Sequence, residues 1–419
     1  MGKTFRLHLH TIKSALSKAE PRALFLTHCT KDKNTLWLQE QPLALSGRGL
    51  VIALGKAAGP MLQGAQQLLG DLQVEWLCVT KDHHPAPPKT TTLFAGHPVP
   101  DERSVNAALE IRQRAKALGP NDWLLLLLSG GASSLACAPP PGITLQDKQA
   151  LTSKLLASGL DIRRCNIVRR ALSRFKGGGL LQSTTARSAA VVLSDVIQGD
   201  LYDVGSGPLS APASPKEAKE ILQEATLWAS TPTTIQKYLE NAAEPGPILP
   251  APHLLLGDRR LLLEGARAAL EGAGVTCEVL SEAFSQSVEE LIARFSSRLS
   301  TMKPNSALLV AGEPTLTVRG PGVGGRAQHT ALWMAKLLQS RAGYSFSAFG
   351  SDGTDGPTQS AGAIVDGDTW QRCIEAGLNP EEALAQFDSH RAHLAAGSLL
   401  TLGPTGTNVN DLSILLRLS

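Results

Sequence analysis

A chain of 419 residues, 42% hydrophobic and 18% charged, is too long for one ordinary core and is expected to form two domains able to bury a catalytic site. A net charge of +3 argues against the basic stripe of a nucleic-acid binder while tolerating small anionic substrates. The longest apolar run, Trp123 to Leu128, falls far short of the roughly 18 residues that span a bilayer, so no membrane partner is expected. The six cysteines, Cys29, Cys78, Cys137, Cys165, Cys277 and Cys373, form no C-x-x-C pair; they read as reduced thiols of a cytoplasmic protein rather than a disulfide framework or zinc site.

The first twenty residues place Phe5, Leu9, Ile12 and Leu16 on one helical face and predict an amphipathic docking helix rather than a transit peptide. Gly49 to Leu54 reads as a buried strand that enters Gly55-Lys56-Ala57-Ala58-Gly59 and a helical pattern over Met61 to Leu69. This is not a Walker A loop, because Gly49 is one position too far from Gly55-Lys56 and Ala57 replaces the required Ser or Thr. A lysine at a strand-to-helix turn is nevertheless placed to grip phosphate or carboxylate; the alternative is a solvated surface lysine. Glu75 to Thr80 predicts the next strand, and His83 and His84 read as loop residues without metal spacing.

A helical pattern over Ser104 to Leu118 precedes Asp122 to Leu128, a strand apolar on both faces, as at the centre of a parallel sheet. It delivers Ser129-Gly130-Gly131-Ala132-Ser133-Ser134, whose amides and hydroxyls suit an anion. From Thr144 the pattern is helical and leads into a basic stretch, Arg163 to Lys176, with too few aromatics for nucleic acid and expected mostly to face solvent, one or two of its cations being able to point into the cleft. Ala189 to Leu193 predicts a strand carrying Ser194-Asp195 at its end. Ser214-Pro215-Lys216-Glu217 predicts a helix start, and the Pro-rich segment from Asn241 to Pro252 reads as a linker, dividing the chain into 1–245 and 246–419.

Strand and helix signals then alternate again: Leu254 to Leu256, Arg260 to Glu271, Thr276 to Leu280, Ser287 to Arg298 and Ala307 to Ala311. A G-x-G-x-x-G pattern, Gly320 to Gly325, precedes a helix through about Leu338, but Tyr344 to Phe349 contains no acid to hold the ribose of a nicotinamide dinucleotide. The pattern reads instead as a phosphate loop with Arg326 neutralising a transferring phosphoryl group, or as a structural glycine turn. The strand Tyr344 to Phe349 ends in the loop Gly350-Ser351-Asp352-Gly353-Thr354-Asp355-Gly356-Pro357. Its two carboxylates suit a hard cation such as Mg2+ or a substrate hydroxyl, against the alternative of an Asp-Gly turn.

Taken together, Gly55-Lys56-Ala57, Gly96 to Asp101, Leu128 to Gly131, Leu172 to Gly178, Leu193 to Val196, Gly312 to Thr315, Gly324 to Arg326, Asp352 to Thr358 and Thr405 to Asp411 resemble, in order, the motifs of the class II glycerate kinases, whose C-terminal part is the MOFRL domain. The resemblance implies two α/β domains, the first Rossmann-like with a mostly parallel sheet and the second of MOFRL type, with the active site in the cleft between them. It implies phosphorylation of D-glycerate at the 2-hydroxyl by ATP with Mg2+ or another divalent cation; monomer and homodimer are both compatible. Lys56, Asp195 and Arg326 match the family's catalytic trio. Substrate and nucleotide are expected on Ser129, Gly130, Gly131, Gly324, Gly325, Asp352, Asp355 and Asn408, with metal at Asp195 and Asp352. The alternatives are an NAD(P)H-dependent hydroxypyruvate reductase, a kinase for a related hydroxy acid, and a non-catalytic sensor.

Overall fold

In the computed structural model the described residues are 2–197 and 199–419. The chain divides into two compact units, Pro21–Leu256 and the combination of Met1–Glu20 with Gly257–Ser419. The division therefore differs from the linker-based expectation of 1–245 and 246–419 in two ways. The Pro-rich segment and the strand that follows it stay with the first unit, where Ala251 N–H donates to Leu209 O and Ala190 N–H to Pro252 O. The N-terminal helix Lys3–Lys18 belongs with the second, packed on helix Arg260–Gly272. Gly265 makes that contact possible, since a Cβ there would lie 2.6 Å from Ser14 O. The buried stripe is His8, Thr11, Ile12 and Ala15, rotated from the predicted apolar face because small and polar side chains fit this close crossing.

The first unit opens with a three-stranded antiparallel ribbon, β1 (Cys29–Asp32), β2 (Thr35–Leu38) and β3 (Gln41–Ala44). Its main sheet contains β4 (Gly49–Leu54), β5 (Val74–Thr80), β6 (Thr91–Phe94), β7 (Trp123–Leu128), β8 (Arg187–Leu193) and β9 (His253–Gly257). These lie in the order β6-β5-β4-β7-β8-β9, and β4 to β8 pair in parallel. Numbered within this sheet, the order is 3-2-1-4-5-6, the Rossmann arrangement. Helices cover both faces of such a sheet, which is why β4 and β7 are buried at every position.

The second unit is mixed: β10 (Thr276–Phe284), β11 (Ser306–Gly312), β12 (Tyr344–Gly350), β13 (Gly362–Asp366), β14 (Leu399–Leu400) and β15 (Asp411–Arg417). The order is β10-β11-β15-β12-β13-β14, with only β10 and β11 parallel among the paired registers. The last strand of the chain thus enters the middle of the sheet, antiparallel to β11 and β12. Its first residue, Asp411, pairs with the final residues of both neighbours, Gly312 and Gly350.

His8 fastens the N-terminal helix to this sheet from inside, within 2.9 Å of both Ser345 Oγ and Ser347 Oγ. Burial lowers its pKa to about 3. The imidazole is neutral in the fold but takes up a proton in the unfolded chain below its ordinary 6.5, so its contribution is present above pH 6.5 and declines as pH falls toward 3. Burial places His329 and His393 at about 4, in the same sense, while Asp355, raised to about 6 by burial, opposes them below pH 6. We expect hydrogen-exchange protection of the β12 amides to fall between pH 7 and pH 4.5, and His8→Asn to flatten that slope.

Candidate active site

In the first unit, the site residues lie at the C-terminal ends of β4, β7 and β8. The sheet reverses its winding between β4 and β7, and ligands of open α/β sheets bind at such a switch point. Leu54 leads into Gly55, held at φ +133°, where a Cβ would come within 2.2 Å of Ser129 Oγ. Only glycine lets the two loops close this tightly. Lys56 N–H donates to Gly130 O (2.9 Å), and Ala57 N–H donates to Ser129 Oγ (3.0 Å). Lys56 is thus locked at its backbone to the Ser129-Gly130-Gly131 loop, while its side chain is only partly buried.

Two histidines flank this grip: His84, read from the sequence as a loop residue, and His97 of the Gly96 to Asp101 motif. His84 is buried, with Nδ1 2.9 Å from Lys56 O. A Cβ on Gly131 would touch the His97 ring at 3.1 Å and Lys56 Cγ at 3.3 Å. The usable signal was proximity in the motif order, since His97 lies in Gly96 to Asp101. Asp195 follows β8, partly buried and in line with the neighbouring strand ends. The basic stretch departs from the mostly solvent-facing expectation: Lys176 is buried, Arg164, Arg169, Arg170 and Arg174 are partly so, and of these six cations Arg163 alone is exposed.

In the second unit the residues gather where β11 ends, β12 ends and β15 begins. Arg326 is the first residue of helix Arg326–Leu337. Its Nε donates to Asp411 Oδ2 (2.6 Å), Nη2 to Asp411 Oδ1 (3.2 Å), and Nη1 to Glu313 Oε1 (2.8 Å). Burial works against the guanidinium charge, but Asp411 and then Glu313 outweigh it and hold the pKa further above its ordinary value. The clamp uses three of five N–H donors and leaves one hydrogen on each terminal nitrogen for a ligand. Burial raises the Asp411 pKa despite the pull of Arg326. Asp411 and Glu313 were given no role in the sequence reading; the pointer to Asp411 was its place as the last residue of the Thr405 motif, directly before the apolar run Leu412 to Leu416.

The paired aspartates of the Gly350 loop separate in role. Asp355 is buried and accepts from Ala327 N–H (3.1 Å), Gln328 N–H (2.8 Å) and Gln328 Nε2 (3.1 Å). It occupies the amides at the start of the arginine's helix, where a phosphate loop would otherwise present them. Gly324 and Gly325 approach the chain itself, since a Cβ on either would lie 2.1 Å from Ser389 Oγ or Asp355 Oδ1. Asp352 accepts at Oδ1 from Thr354 N–H (2.9 Å) and Oγ1 (3.0 Å). A Cβ built on Gly350 would lie 3.5 Å from both Asp352 Oδ1 and Asp411 Oδ1, so this carboxylate borders the arginine clamp. Asn408 is buried three residues before Asp411.

Among the described residues no three His, Cys, Asp or Glu side chains form a group able to hold a metal. The carboxylates around Arg326 are matched to a guanidinium, and Asp195 and Asp352, the expected metal ligands, belong to different units.

Residues 7–240 match the model of a domain of unknown function, DUF4147, and residues 306–411 match the MOFRL family. A D-glycerate 2-kinase of Thermotoga maritima is 35% identical, covering 88% of this chain and 90% of its own. The chain belongs to the glycerate kinase family. It is an enzyme of the kinase class with a C-terminal MOFRL part. A glycerate 2-kinase of Pyrococcus horikoshii is 30% identical over 97% of this chain and 96% of its own. The solved structure of a glycerate kinase from Thermotoga maritima superposes with a TM-score of 0.82 at 32% identity, covering 99% of each chain. No helix among the described residues is long and apolar enough to cross a membrane, and all six cysteines are free.

Asp355 holds a helix start through three hydrogen bonds, so Asp355→Ala should lower stability by about 1–3 kcal/mol. Urea denaturation of the second unit checks this, and Asp355→Asn, which keeps an acceptor oxygen, should lose less.

Proposed function

We propose that the protein transfers the γ-phosphoryl group of ATP to the 2-hydroxyl of D-glycerate, giving 2-phosphoglycerate and ADP in a reducing cytoplasm. The observation that carries this reading is the backbone lock of Lys56 onto the Ser129-Gly130-Gly131 loop at the sheet's switch point, joined by the clamped guanidinium of Arg326. Phosphoryl transfer asks little covalent chemistry of a protein; it needs fixed cations and a positioned acceptor. Lys56, with its main chain fixed and its stem against Gly131, is assigned to phosphate oxygens. Asp195 is assigned to orient the attacking hydroxyl and accept its proton. Arg326 contributes its two remaining N–H groups to the charge that develops on the transferring phosphoryl.

Asp411 and Glu313 hold Arg326 in one orientation, and Asp355 with Gly324 and Gly325 fixes the helix start that carries it. Asp352 and Asn408 are assigned to substrate. Mg2+ bound with nucleotide phosphates requires only one or two protein carboxylates; Asp195 in the first unit and Asp352 in the second each offer one, and the ion would neutralise phosphate charge when bound. A reductase reading requires an open dinucleotide turn. Against it, Gly320 and Gly322 abut the backbone of Gln386 and Asp388, at 2.4 and 2.5 Å from a built Cβ.

The purified protein with ATP, Mg2+ and D-glycerate should release ADP and form 2-phosphoglycerate, separated from the 3-phospho isomer by a coupled assay. Absence of ADP formation with any small hydroxy acid overturns the assignment, and hydroxypyruvate-dependent NAD(P)H oxidation would replace it with the reductase. Arg326→Ala should lower kcat by about 100- to 1,000-fold, the usual loss when one preorganised charge donor is removed, with near-native circular dichroism. Lys56→Ala should fall in the same range, whereas unchanged kinetics would return Lys56 to a surface role.

A further inference from the structure

The first unit buries a set of cations that the proposed chemistry does not use. Lys176 is 4% exposed and Lys148 7%. Lys176 Nζ donates to Ser133 O (2.6 Å) and Ser133 Oγ (3.0 Å). Arg169 Nη2 reaches the same hydroxyl at 3.4 Å, with Nη1 3.2 Å from Asn166 Oδ1. Ser133 Oγ lies 3.0 Å from Ser206 Oγ. Because that oxygen accepts from two cations, its own hydrogen is directed to Ser206. Lys148 Nζ donates to Leu172 O (2.6 Å), and the buried Nε of Arg174 has no hydrogen-bond partner.

No carboxylate lies within ion-pair distance of Lys148, Lys176 or Arg169 among the described residues; the neighbouring pair Arg170 and Asp203 neutralises itself. Burying a cation without a counter-charge costs several kcal/mol even after relaxation. Lys176 shows the consequence, lowered to about 7 by burial and then by Lys148, with Arg169 adding to the repulsion and the Cys137 thiol opposing it. Burial likewise lowers Lys148 and Arg169. Buried cations respond in this way unless an anion supplies the missing counter-charge. Ser133 and Arg169 are partly exposed, so the cluster opens to solvent on that side. Ser133 also stands two residues beyond Gly131, against which the Lys56 stem packs.

We propose that Lys176 and Arg169, joined through Ser133, form an oxyanion subsite for a carboxylate or phosphate group of a substrate bound beside Lys56. The inference rests on the kinase reading for its location, and it extends that reading to how the ionised end of a substrate is held. The carboxylate of the hydroxy acid and a phosphate of the nucleotide share this chemistry. A carboxylate subsite would fix the acid end of the acceptor and so select hydroxy acids over uncharged polyols.

Isothermal titration of the full-length protein with D-glycerate and, separately, with ADP tests the subsite without requiring turnover. At pH 8 an unprotonated Lys176 must take up a proton when an oxyanion binds, so titrations in two buffers of different ionisation enthalpy should reveal proton uptake for the ligand that occupies the subsite. Lys176→Met should abolish the uptake and weaken that ligand about 10- to 100-fold, as expected for one charged hydrogen bond. The ligand that loses affinity identifies the source of the oxyanion. Should Lys176→Met not fold, Arg169→Gln, at a partly exposed position, decides: a loss of about 10-fold supports the subsite, and wild-type affinity for both ligands overturns it. Failure of both ligands to bind the wild-type protein overturns it as well. An active kinase whose variants bind both ligands normally defeats the subsite alone, whereas proton-linked binding without ADP formation defeats the kinase reading alone.

Discussion

A guanidinium taken out of water needs fixed counter-charge, and the second unit is arranged to supply it. Asp411 opens the central strand and accepts two hydrogen bonds from Arg326, while Glu313, just beyond β11, accepts a third. These carboxylates reach one guanidinium only because β15 runs antiparallel between β11 and β12, bringing its first residue to their final ones. A parallel β15 would deliver Asp411 to the opposite edge of the sheet. The strand order thus decides whether Arg326 is a disciplined cation or a mobile surface side chain.

The first unit solves a related problem by different means. Its lysine is fixed through the main chain, with Lys56 and Ala57 amides donating to the loop after β7. A lysine ammonium is a compact point charge on a flexible stem, whereas the bidentate arginine suits a fixed position. Asp355 shows how two aspartates of one loop can meet different partners. Its neighbour Asp352 borders the clamp, but Asp355 holds helix amides, because a helix start without a side-chain cap of its own leaves donors that must be satisfied.

Much of this was legible along the chain. β4 and β7 announced themselves as continuous apolar runs because both faces of a parallel sheet are covered, and each carried its glycine loop directly to the strand end. The kinase family followed from motif order. The boundary near 245 missed the N-terminal helix, whose partner Gly265 lies some 250 residues away and leaves no local trace. The basic stretch was expected mostly at solvent, with one or two side chains able to point into the cleft, and nothing in a one-dimensional pattern shows that Lys176 is one that turns inward toward Ser133.

The sequence by itself determined the strand-end loops, the helix starts and the residues that carry charge, because those depend on neighbours within a few positions: periodicity, glycine and capping chemistry. Tertiary structure alone decided which charges meet. The Arg326–Asp411 pair spans 85 positions and the Lys176–Ser133 contact 43, and each exists only because sheet order and helix packing bring distant backbone together. Burial then sets the electrostatics, converting an arginine into a clamped cation and a lysine into a group that titrates near neutrality.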